Sequence, residues 1–203
     1  MTVVFDYGAG NLRSVANTLE SVAEPFRIVR DAGGLETASR IILPGVGHYG
    51  QLLRSVDRLG VRQALRDRIS AGVPFLGICL GLQALFESSE EAPEQGLAIY
   101  PGRVVRFPKD SRVPQMGWNC LAPQGAPRLL QGTGKRPYVY FANSFYVPTS
   151  AAGACAAALC EYAGQTFCAA LEHGNVFGVQ FHPEKSGPLG QRIVRNFLEA
   201  APC

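Results

Sequence analysis

The sequence has few of the features that membrane proteins, nucleic-acid-binding proteins or metalloproteins need. No apolar run approaches the roughly 18 to 20 residues that span a bilayer. The 19 basic residues are scattered and leave a formal net charge of only +3, so neither a membrane nor a nucleic acid is an expected partner. The three histidines and six cysteines include no Cys-x-x-Cys pair, which argues against a zinc site. We expect no metal and no cofactor.

The first residues also lack the marks of an export signal. Met1–Asp6 contains no basic segment, and its apolar run is too short for a signal peptide. A protein kept in the cytoplasm holds its cysteines reduced. We therefore expect a cytoplasmic protein whose cysteines are free thiols and do not form a disulfide framework.

Composition and element order predict an α/β fold. A chain of 203 residues with 47% hydrophobic content is long enough to bury a full core, and we expect one domain over residues 1–203. Alternating strand and helix patterns predict a mainly parallel central sheet flanked by helices. The pattern predicts strands at Thr2–Asp6, Phe26–Val29, Arg40–Leu43 and Val176–Phe181, and helices at about Asn11–Val22 and Val61–Ala71.

The middle of the chain has a different pattern. Shorter β-like runs separated by proline and glycine predict antiparallel strands added to the sheet in the 104–168 region. These runs are Arg103–Phe107, Tyr138–Phe141, Ala156–Cys160 and Phe167–Leu171.

Cys79 lies where a predicted strand turns directly into a predicted helix. The apolar run Val73–Ile78 precedes it, and Gly77 and Gly81 flank it at equal spacing. This is the pattern of a nucleophile elbow with cysteine as the nucleophile. Unpaired N–H groups at a helix start favour a thiolate. The alternative is a buried structural cysteine between two ordinary glycines.

A second strand end carries a candidate base. The run Val176–Phe181 is followed by His182, Pro183 and Glu184. In an extended chain, residues two apart point the same way, so the carboxylate can orient the imidazole. Such a short pattern also occurs in ordinary surface loops. It becomes a catalytic prediction because the carboxyl ends of parallel strands lie at one edge of the sheet.

Glycine-rich turns follow two other predicted strands. Pro44–His48 contains Gly45 and Gly47, which allow backbone N–H groups to approach an oxyanion closely. An ordinary glycine-rich turn is the alternative. The segment Asp6–Asn11 lacks the third glycine of a dinucleotide-binding fingerprint, so nucleotide binding is not expected.

Together these motifs resemble the three signatures of class I, triad-type glutamine amidotransferases. Within that family the chain most resembles the glutaminase subunits of imidazole glycerol phosphate synthase, over about Val3–Leu198. The signatures are Pro44–Gly47, Gly77–Gly81 with Gln83, and His182–Glu184, and the narrower match rests on Asp6–Asn11, Gly102–Arg106, Met116–Asn119 and His182–Ser186.

The resemblance implies a flavodoxin-like fold, glutamine as the substrate and a separate (β/α)₈-barrel cyclase as the partner. It also implies roles for individual residues. Cys79, His182 and Glu184 would form the catalytic triad; Gly45, Val46, Gly47 and Leu80 the oxyanion hole; Gly47, Gln83, Glu91, Ser144 and Phe145 the glutamine site; and Asn11, Trp118, Tyr140 and Lys185 the partner face. Glu90 is an alternative to Glu91, and core packing is an alternative for Trp118.

Two residues depart from the pattern of these subunits. Gln115 and Asn143 stand where histidines are common. Neither belongs to the triad, so they bear only on coupling to the partner. Other readings also remain open: a glutaminase subunit of anthranilate or pyridoxal phosphate synthase, a cysteine peptidase or γ-glutamyl hydrolase, and a non-catalytic binding module.

Overall fold

The computed structural model describes residues 1–9 and 11–200. Gly10 of the predicted Asp6–Asn11 motif and Cys203 lie outside this range. Helices α1 to α7 are Leu12–Ser21, Ala32–Glu36, Tyr49–Arg58, Arg62–Ser70, Leu80–Gln83, Thr149–Ala152 and Gly187–Glu199. Strands β1 to β13 are Thr2–Phe5, Phe26–Val29, Arg40–Gly45, Phe75–Cys79, Phe86–Ser89, Tyr100–Arg106, Gln115–Cys120, Ala122–Pro123, Tyr138–Asn143, Phe145–Pro148, Ala156–Tyr162, Gln165–His173 and Val176–Val179.

Five parallel strands form the centre of the main sheet. Their order is β2-β1-β3-β4-β13, which is the flavodoxin-like order. The predicted α/β fold is confirmed, and the predicted strand at Phe26–Val29 is observed with those bounds. Strands β3, β4 and β13 are neighbours, so their carboxyl ends lie side by side at one edge of the sheet.

The sheet is buried on both faces because apolar residues occupy both sets of alternating positions. Side chains two apart along a strand share a face. Val4, Ile42 and Leu76 pack with residues of α1 and α7 in one cluster. Val3, Ile41 and Phe75 pack with residues of α3 and α4 in the other. This double-sided burial holds the strand ends in fixed positions.

Antiparallel strands from the middle of the chain extend the sheet, as the sequence predicts. Strand β12 pairs antiparallel with β13 and with β11, and β10 joins β12 to β6. Strands β7 and β9 form a separate antiparallel ribbon, which we call the β7–β9 ribbon, with Trp118 opposite Tyr140. The ribbon is bonded to the segment after β13: the Tyr140 N–H donates to the Ser186 hydroxyl at 3.0 Å.

Several elements differ from the sequence prediction, among them three helices. Helices α3 and α7 are not predicted, although both carry apolar residues on one face. Helix α5 ends at Gln83, earlier than the apolar pattern up to Phe86 suggests, because Phe86 begins strand β5. Within the part of the chain that the structure describes, no helix is long and apolar enough to cross a membrane.

Candidate active site

Cys79 occupies the junction of β4 and α5 in a strained backbone conformation. Its φ is 54° and its ψ is −105°, in a region that non-glycine residues rarely adopt. Such conformations cost of the order of 1 to 3 kcal/mol and cluster at functional sites. The side chain is 5% exposed. The predicted nucleophile elbow therefore has the expected backbone geometry, with the thiol at the amino end of α5.

The flanking glycines allow the sharp turn at Cys79. A Cβ added to Gly77 would lie 2.4 Å from the carbonyl oxygen of Gly81. A Cβ added to Gly81 would lie 2.0 Å from the carbonyl oxygen of Leu43. Any larger residue at either position would force the strand and the helix apart. The two glycines are thus explained by close backbone packing as well as by their spacing around the cysteine.

His182 and Glu184, the predicted base and its orienting carboxylate, are in direct contact. The His182 Nδ1 atom lies 2.8 Å from Glu184 Oε1, and both side chains are 3% exposed. The sequence predicts that the two side chains point the same way in an extended strand, but the structure brings them together in a turn. Pro183–Lys185 forms a short 3-10 turn, which brings the carboxylate back to the imidazole. Because Glu184 holds Nδ1, Nε2 is the nitrogen left for proton transfer.

Cys79 and His182 interact directly. Burial lowers the pKa of His182, but hydrogen bonds to Cys79 and Glu184, with the negative charges of both, outweigh burial and raise it from 6.5 to about 10. The imidazole is therefore protonated at neutral pH when the thiolate is present. A thiolate–imidazolium pair supported by a carboxylate is an activated nucleophile of the kind used in acyl transfer.

Tyr7 holds the two peptide groups on either side of Val46, in the turn after β3, in one orientation. The Tyr7 hydroxyl donates to the Val46 carbonyl at 2.9 Å and accepts from the Val46 N–H at 3.0 Å. Burial is the main reason that the pKa of Tyr7 is raised to about 12, so the hydroxyl keeps its proton. The Val46 N–H is therefore engaged by Tyr7 in this structure. Releasing that N–H means rotating the Gly45–Val46 peptide, and Gly47, at φ +94°, gives the Val46–Gly47 peptide on the other side of Val46 the backbone freedom to adjust.

A pocket of about 320 Å³ opens beside Cys79, a volume within the lower range of ligand-binding pockets. It brings together the cysteine, the histidine and every predicted glutamine-binding residue. Its lining includes Val46, Gly47, Cys79, Leu80, Gln83, Glu91, Ser144, Phe145, His182 and Lys185. Gly45, predicted for the oxyanion hole, lies beneath this lining, where an added Cβ would meet Leu80 Cβ at 2.5 Å.

Glu91 and its alternative Glu90 make different contacts in the structure. Glu91 lines the pocket, and its Oε2 atom accepts a hydrogen bond from the Tyr49 N–H at 2.8 Å. That contact fixes the carboxylate at the first turn of α3, where the helix dipole favours negative charge. Glu90 instead accepts from the Arg106 N–H at 2.9 Å. The geometry therefore favours Glu91 as the pocket residue.

Three of the four predicted partner-face residues form one cluster beside the site. The Trp118 and Tyr140 rings lie 6.2 Å apart, and Lys185 Nζ lies 5.6 Å from the Tyr140 ring centroid. Trp118 is 53% exposed, which excludes core packing as its role. The Tyr140 carbonyl accepts from the His182 N–H at 2.8 Å. This cluster is thus attached to the catalytic histidine. Asn11 lies apart from it, just before α1, where its Oδ1 accepts from the Ser14 hydroxyl at 2.8 Å.

Two residues at the site were not found from the sequence. Tyr7 enters the sequence prediction only as a member of the Asp6–Asn11 motif, and Gln180 only as a member of the strand Val176–Phe181. Gln180 is fully buried, and its Nε2 atom lies 3.5 Å from Cys79 Sγ. Its signal in the sequence is a single polar residue within the apolar run Val176–Phe181.

A comparison with protein families decides the assignment. The model of the class I glutamine amidotransferase family matches residues 3–201, nearly the whole chain. The chain belongs to this family. The resemblance inferred from the sequence is therefore confirmed.

Curated relatives of this amidotransferase share over two fifths of its residues. Proteins named imidazole glycerol phosphate synthase subunit HisH are similar to it: the one from Syntrophotalea carbinolica is 44% identical, covering 97% of this chain and 98% of its own. The one from Methanothermobacter thermautotrophicus is 42% identical, covering 98% of both chains.

Solved structures of lower sequence identity share the fold. A crystal structure of a glutamine amidotransferase has a TM-score of 0.76 at 22% identity, covering 97% of each chain. The structure of PurLQS from Thermotoga maritima has a TM-score of 0.73 at 20% identity, covering 97% of this chain and 96% of its own. These matches bear on the fold of this amidotransferase only.

The two departures from the subfamily pattern turn out to be neighbours in this amidotransferase. Gln115 and Asn143 are paired across the β7–β9 ribbon and are both buried. Asn143 Nδ2 donates to the Phe145 carbonyl at 3.0 Å, beside the pocket. A change at either position therefore affects the same part of the ribbon.

Proposed function

We propose that this chain is the glutaminase subunit of an imidazole glycerol phosphate synthase of histidine biosynthesis. It hydrolyses glutamine to glutamate and ammonia and passes the ammonia to a separate (β/α)₈-barrel cyclase. The observation that carries the proposal is the buried Cys79–His182–Glu184 arrangement at the pocket. Supporting it, relatives with the subunit HisH name match nearly the full chain.

The first half of the reaction forms a thioester. The Cys79 thiolate attacks the side-chain amide carbon of glutamine, and the carbonyl oxygen becomes an oxyanion. The Leu80 N–H at the start of α5, with N–H groups of the turn after β3, would stabilise that oxyanion. The C–N bond then breaks, and His182 Nε2 gives its proton to the departing ammonia.

The second half regenerates the thiolate. The now neutral His182 removes a proton from water, and the hydroxide oxygen adds to the thioester carbon. The C–S bond breaks with its electron pair on sulfur, and glutamate leaves. Glu184 keeps the ring oriented through both halves and stabilises its charged form.

The partner face supports delivery of ammonia to the cyclase. Ammonia in water at neutral pH is mostly ammonium, which is not a nucleophile, so it needs a protected path. Lys185 both lines the pocket and lies beside the Tyr140 ring. A partner covering Trp118, Tyr140 and Lys185 would therefore close the pocket at the point where ammonia forms. We place Asn11 on the same face from the family resemblance.

The test is glutamine hydrolysis by three samples: this chain alone, with the cyclase subunit, and with the cyclase and its nucleotide ligand. We expect little activity alone and the highest activity in the full complex. The controls are parallel mixtures of this chain with the synthase partners of anthranilate synthase and pyridoxal phosphate synthase. The glutaminase subunits of those two synthases are the second candidates for this chain. Equal rates in the chain alone and in both samples that contain the cyclase would contradict the assignment to this synthase.

A further inference from the structure

Gln180 links the catalytic sulfur to the glutamine-binding residue Gln83. It follows β13 directly, and the register of Val179 with Ile78 places it beside Cys79. Its Nε2 atom lies 3.5 Å from Cys79 Sγ, and its Oε1 atom accepts from Gln83 Nε2 at 2.9 Å. Gln83 Nε2 also donates to the Phe145 carbonyl at 2.9 Å. A chain of polar contacts therefore runs from the Phe145 backbone to the nucleophile.

The Phe145 carbonyl determines the direction of the hydrogen bonds in this series. The Phe145 carbonyl can only accept, so Gln83 must present its amide hydrogens to it. The second hydrogen of Gln83 then goes to Gln180, which must offer its oxygen. The Gln180 NH₂ group is left facing the sulfur. If the Gln180 amide were reversed, its NH₂ group would face that of Gln83, and its oxygen would face the Cys79 thiolate.

We propose that Gln180 is a catalytic residue that donates a hydrogen bond from Nε2 to the Cys79 thiolate. The inference rests on the glutaminase reaction proposed above. Sulfur carries negative charge twice in that reaction, before attack on the amide and when the C–S bond of the thioester breaks. A donor fixed on a fully buried side chain stabilises the sulfur at both points without reorganising.

The same hydrogen bonds restrict which atom of Gln83 is free to bind glutamine. Both of its amide hydrogens are committed, and its Oε1 atom is buried without a hydrogen-bond partner. The hydrogen-bonding atom of Gln83 that is left without a partner is therefore an acceptor, so a substrate group that this atom binds must be a donor. Losing Gln83 frees the Gln180 amide to rotate, so the binding residue also orients the thiolate's donor.

The test is the rate at which iodoacetamide alkylates Cys79 in Gln180→Met, which keeps the side-chain length but removes both hydrogen bonds. We expect alkylation at neutral pH to slow by about tenfold or more, and kcat for glutamine in the cyclase complex to fall more than KM rises. At high pH the thiol ionises in every variant, so alkylation should approach the wild-type rate. A purely structural defect would not be rescued by pH.

The other titratable groups facing Cys79 are shared by all variants: Tyr7, Glu91, His182 and Lys185, with Glu184 behind His182. The matched control is Gln115→Met, which changes a buried glutamine whose Nε2 and Oε1 atoms make no hydrogen bond to Cys79; the alkylation rate of Cys79 in this variant should stay at the wild-type value.

Gln180→Glu keeps the shape and the acceptor for Gln83 but loses the amide donor, so it should also be alkylated slowly. Wild-type alkylation rates in folded Gln180→Met or Gln180→Glu would overturn the proposal. Because alkylation requires neither glutamine nor a cyclase, this result is independent of whether the proposed synthase is correct.

Discussion

At the residue scale, the reactivity of one cysteine separates this site from the rest of the chain. Cys79 lies at a helix start against an imidazolium. Burial raises the pKa of Cys160 and of Cys168 to about 12, which keeps both protonated. A protonated, buried thiol reacts slowly. The difference in reactivity thus follows from position in the fold and not from composition.

We predict that an electrophilic glutamine analogue labels Cys79 and that Cys79→Ala abolishes glutamine hydrolysis. The pocket holds the analogue beside this sulfur. Peptide mass spectrometry after labelling is the measurement, and Cys160→Ala, labelled like the wild type, is the control. Persistent labelling in Cys79→Ala would assign the nucleophile to another cysteine.

The raised pKa of His182 predicts a pH-dependent stability. The folded imidazole titrates at about 10 and the ordinary value is 6.5, so the folded state binds more protons between these values. Its stabilising contribution is full below pH 6.5 and is lost as pH rises through about 10. Glu184→Gln removes one hydrogen bond and one charge, so the His182 titration midpoint should fall. Proton NMR of the imidazole measures it, and an unchanged midpoint would contradict the role of Glu184.

The same pair predicts graded losses of activity. His182→Ala removes the proton carrier of both half-reactions, so nearly all activity should be lost. Glu184→Gln alters only orientation and charge, so its loss should be smaller, within about 10² to 10⁴-fold. Initial rates in the cyclase complex are the measurement. His48, a possible substitute base, uses Nδ1 to accept from the Gly50 N–H at 3.1 Å at the start of α3. Full activity in His182→Ala would nevertheless require such a substitute.

At the element scale, the turn after β3 is tied to the end of β1 through one hydroxyl. Tyr7 holds both the N–H and the carbonyl of Val46. An N–H held there is not available to an oxyanion at Cys79. One missing oxyanion donor raises the barrier by roughly 2.7 to 4 kcal/mol, or about 10² to 10³ in rate. The contact between Tyr7 and the turn after β3 can therefore limit the rate of glutamine hydrolysis by the chain without its partner.

We predict that Tyr7→Phe raises glutamine hydrolysis without the partner by about tenfold, a fraction of one oxyanion donor's effect. Removing the hydroxyl leaves the Gly45–Val46 peptide, which carries the Val46 N–H, free to rotate. Tyr49→Phe is the matched control, because its buried hydroxyl has no hydrogen-bond partner. An unchanged or lower basal rate in Tyr7→Phe would mean that Tyr7 does not restrain the turn.

At the scale of the whole molecule, the exposed aromatic cluster indicates where a second protein docks. Trp118 is 53% and Tyr138 is 57% exposed on the β7–β9 ribbon. Exposed tryptophan and tyrosine are typical of interface hot spots. The Tyr140 carbonyl of this ribbon accepts a hydrogen bond from the His182 N–H. A partner bound to the ribbon would therefore be linked through it to His182.

We predict that Trp118→Ala weakens binding of the cyclase by about 30-fold or more, as expected for loss of about 2 kcal/mol at a hot spot. Isothermal titration calorimetry is the measurement. Ile28→Ala is the control, since Ile28 is 48% exposed on the edge strand β2. Equal affinities for both variants would place the interface elsewhere.

The sequence by itself determined the α/β class and the positions of Cys79, His182 and Glu184. Strand and helix periods are local properties, and these candidate residues stand at the ends of predicted strands; their grouping into a triad was implied by the family resemblance. The helices α3 and α7 were missed although their apolar faces are present.

Only the tertiary structure decided which groups meet across the strand ends. Gln180 is 101 residues from Cys79, and Tyr7 is 39 residues from Val46. No local pattern encodes such pairs, because they depend on the order of strands in the sheet and on the register between neighbours. The exposure of Trp118 and the choice of Glu91 over Glu90 also required the fold. Burial and hydrogen-bond partners are properties of the packed chain.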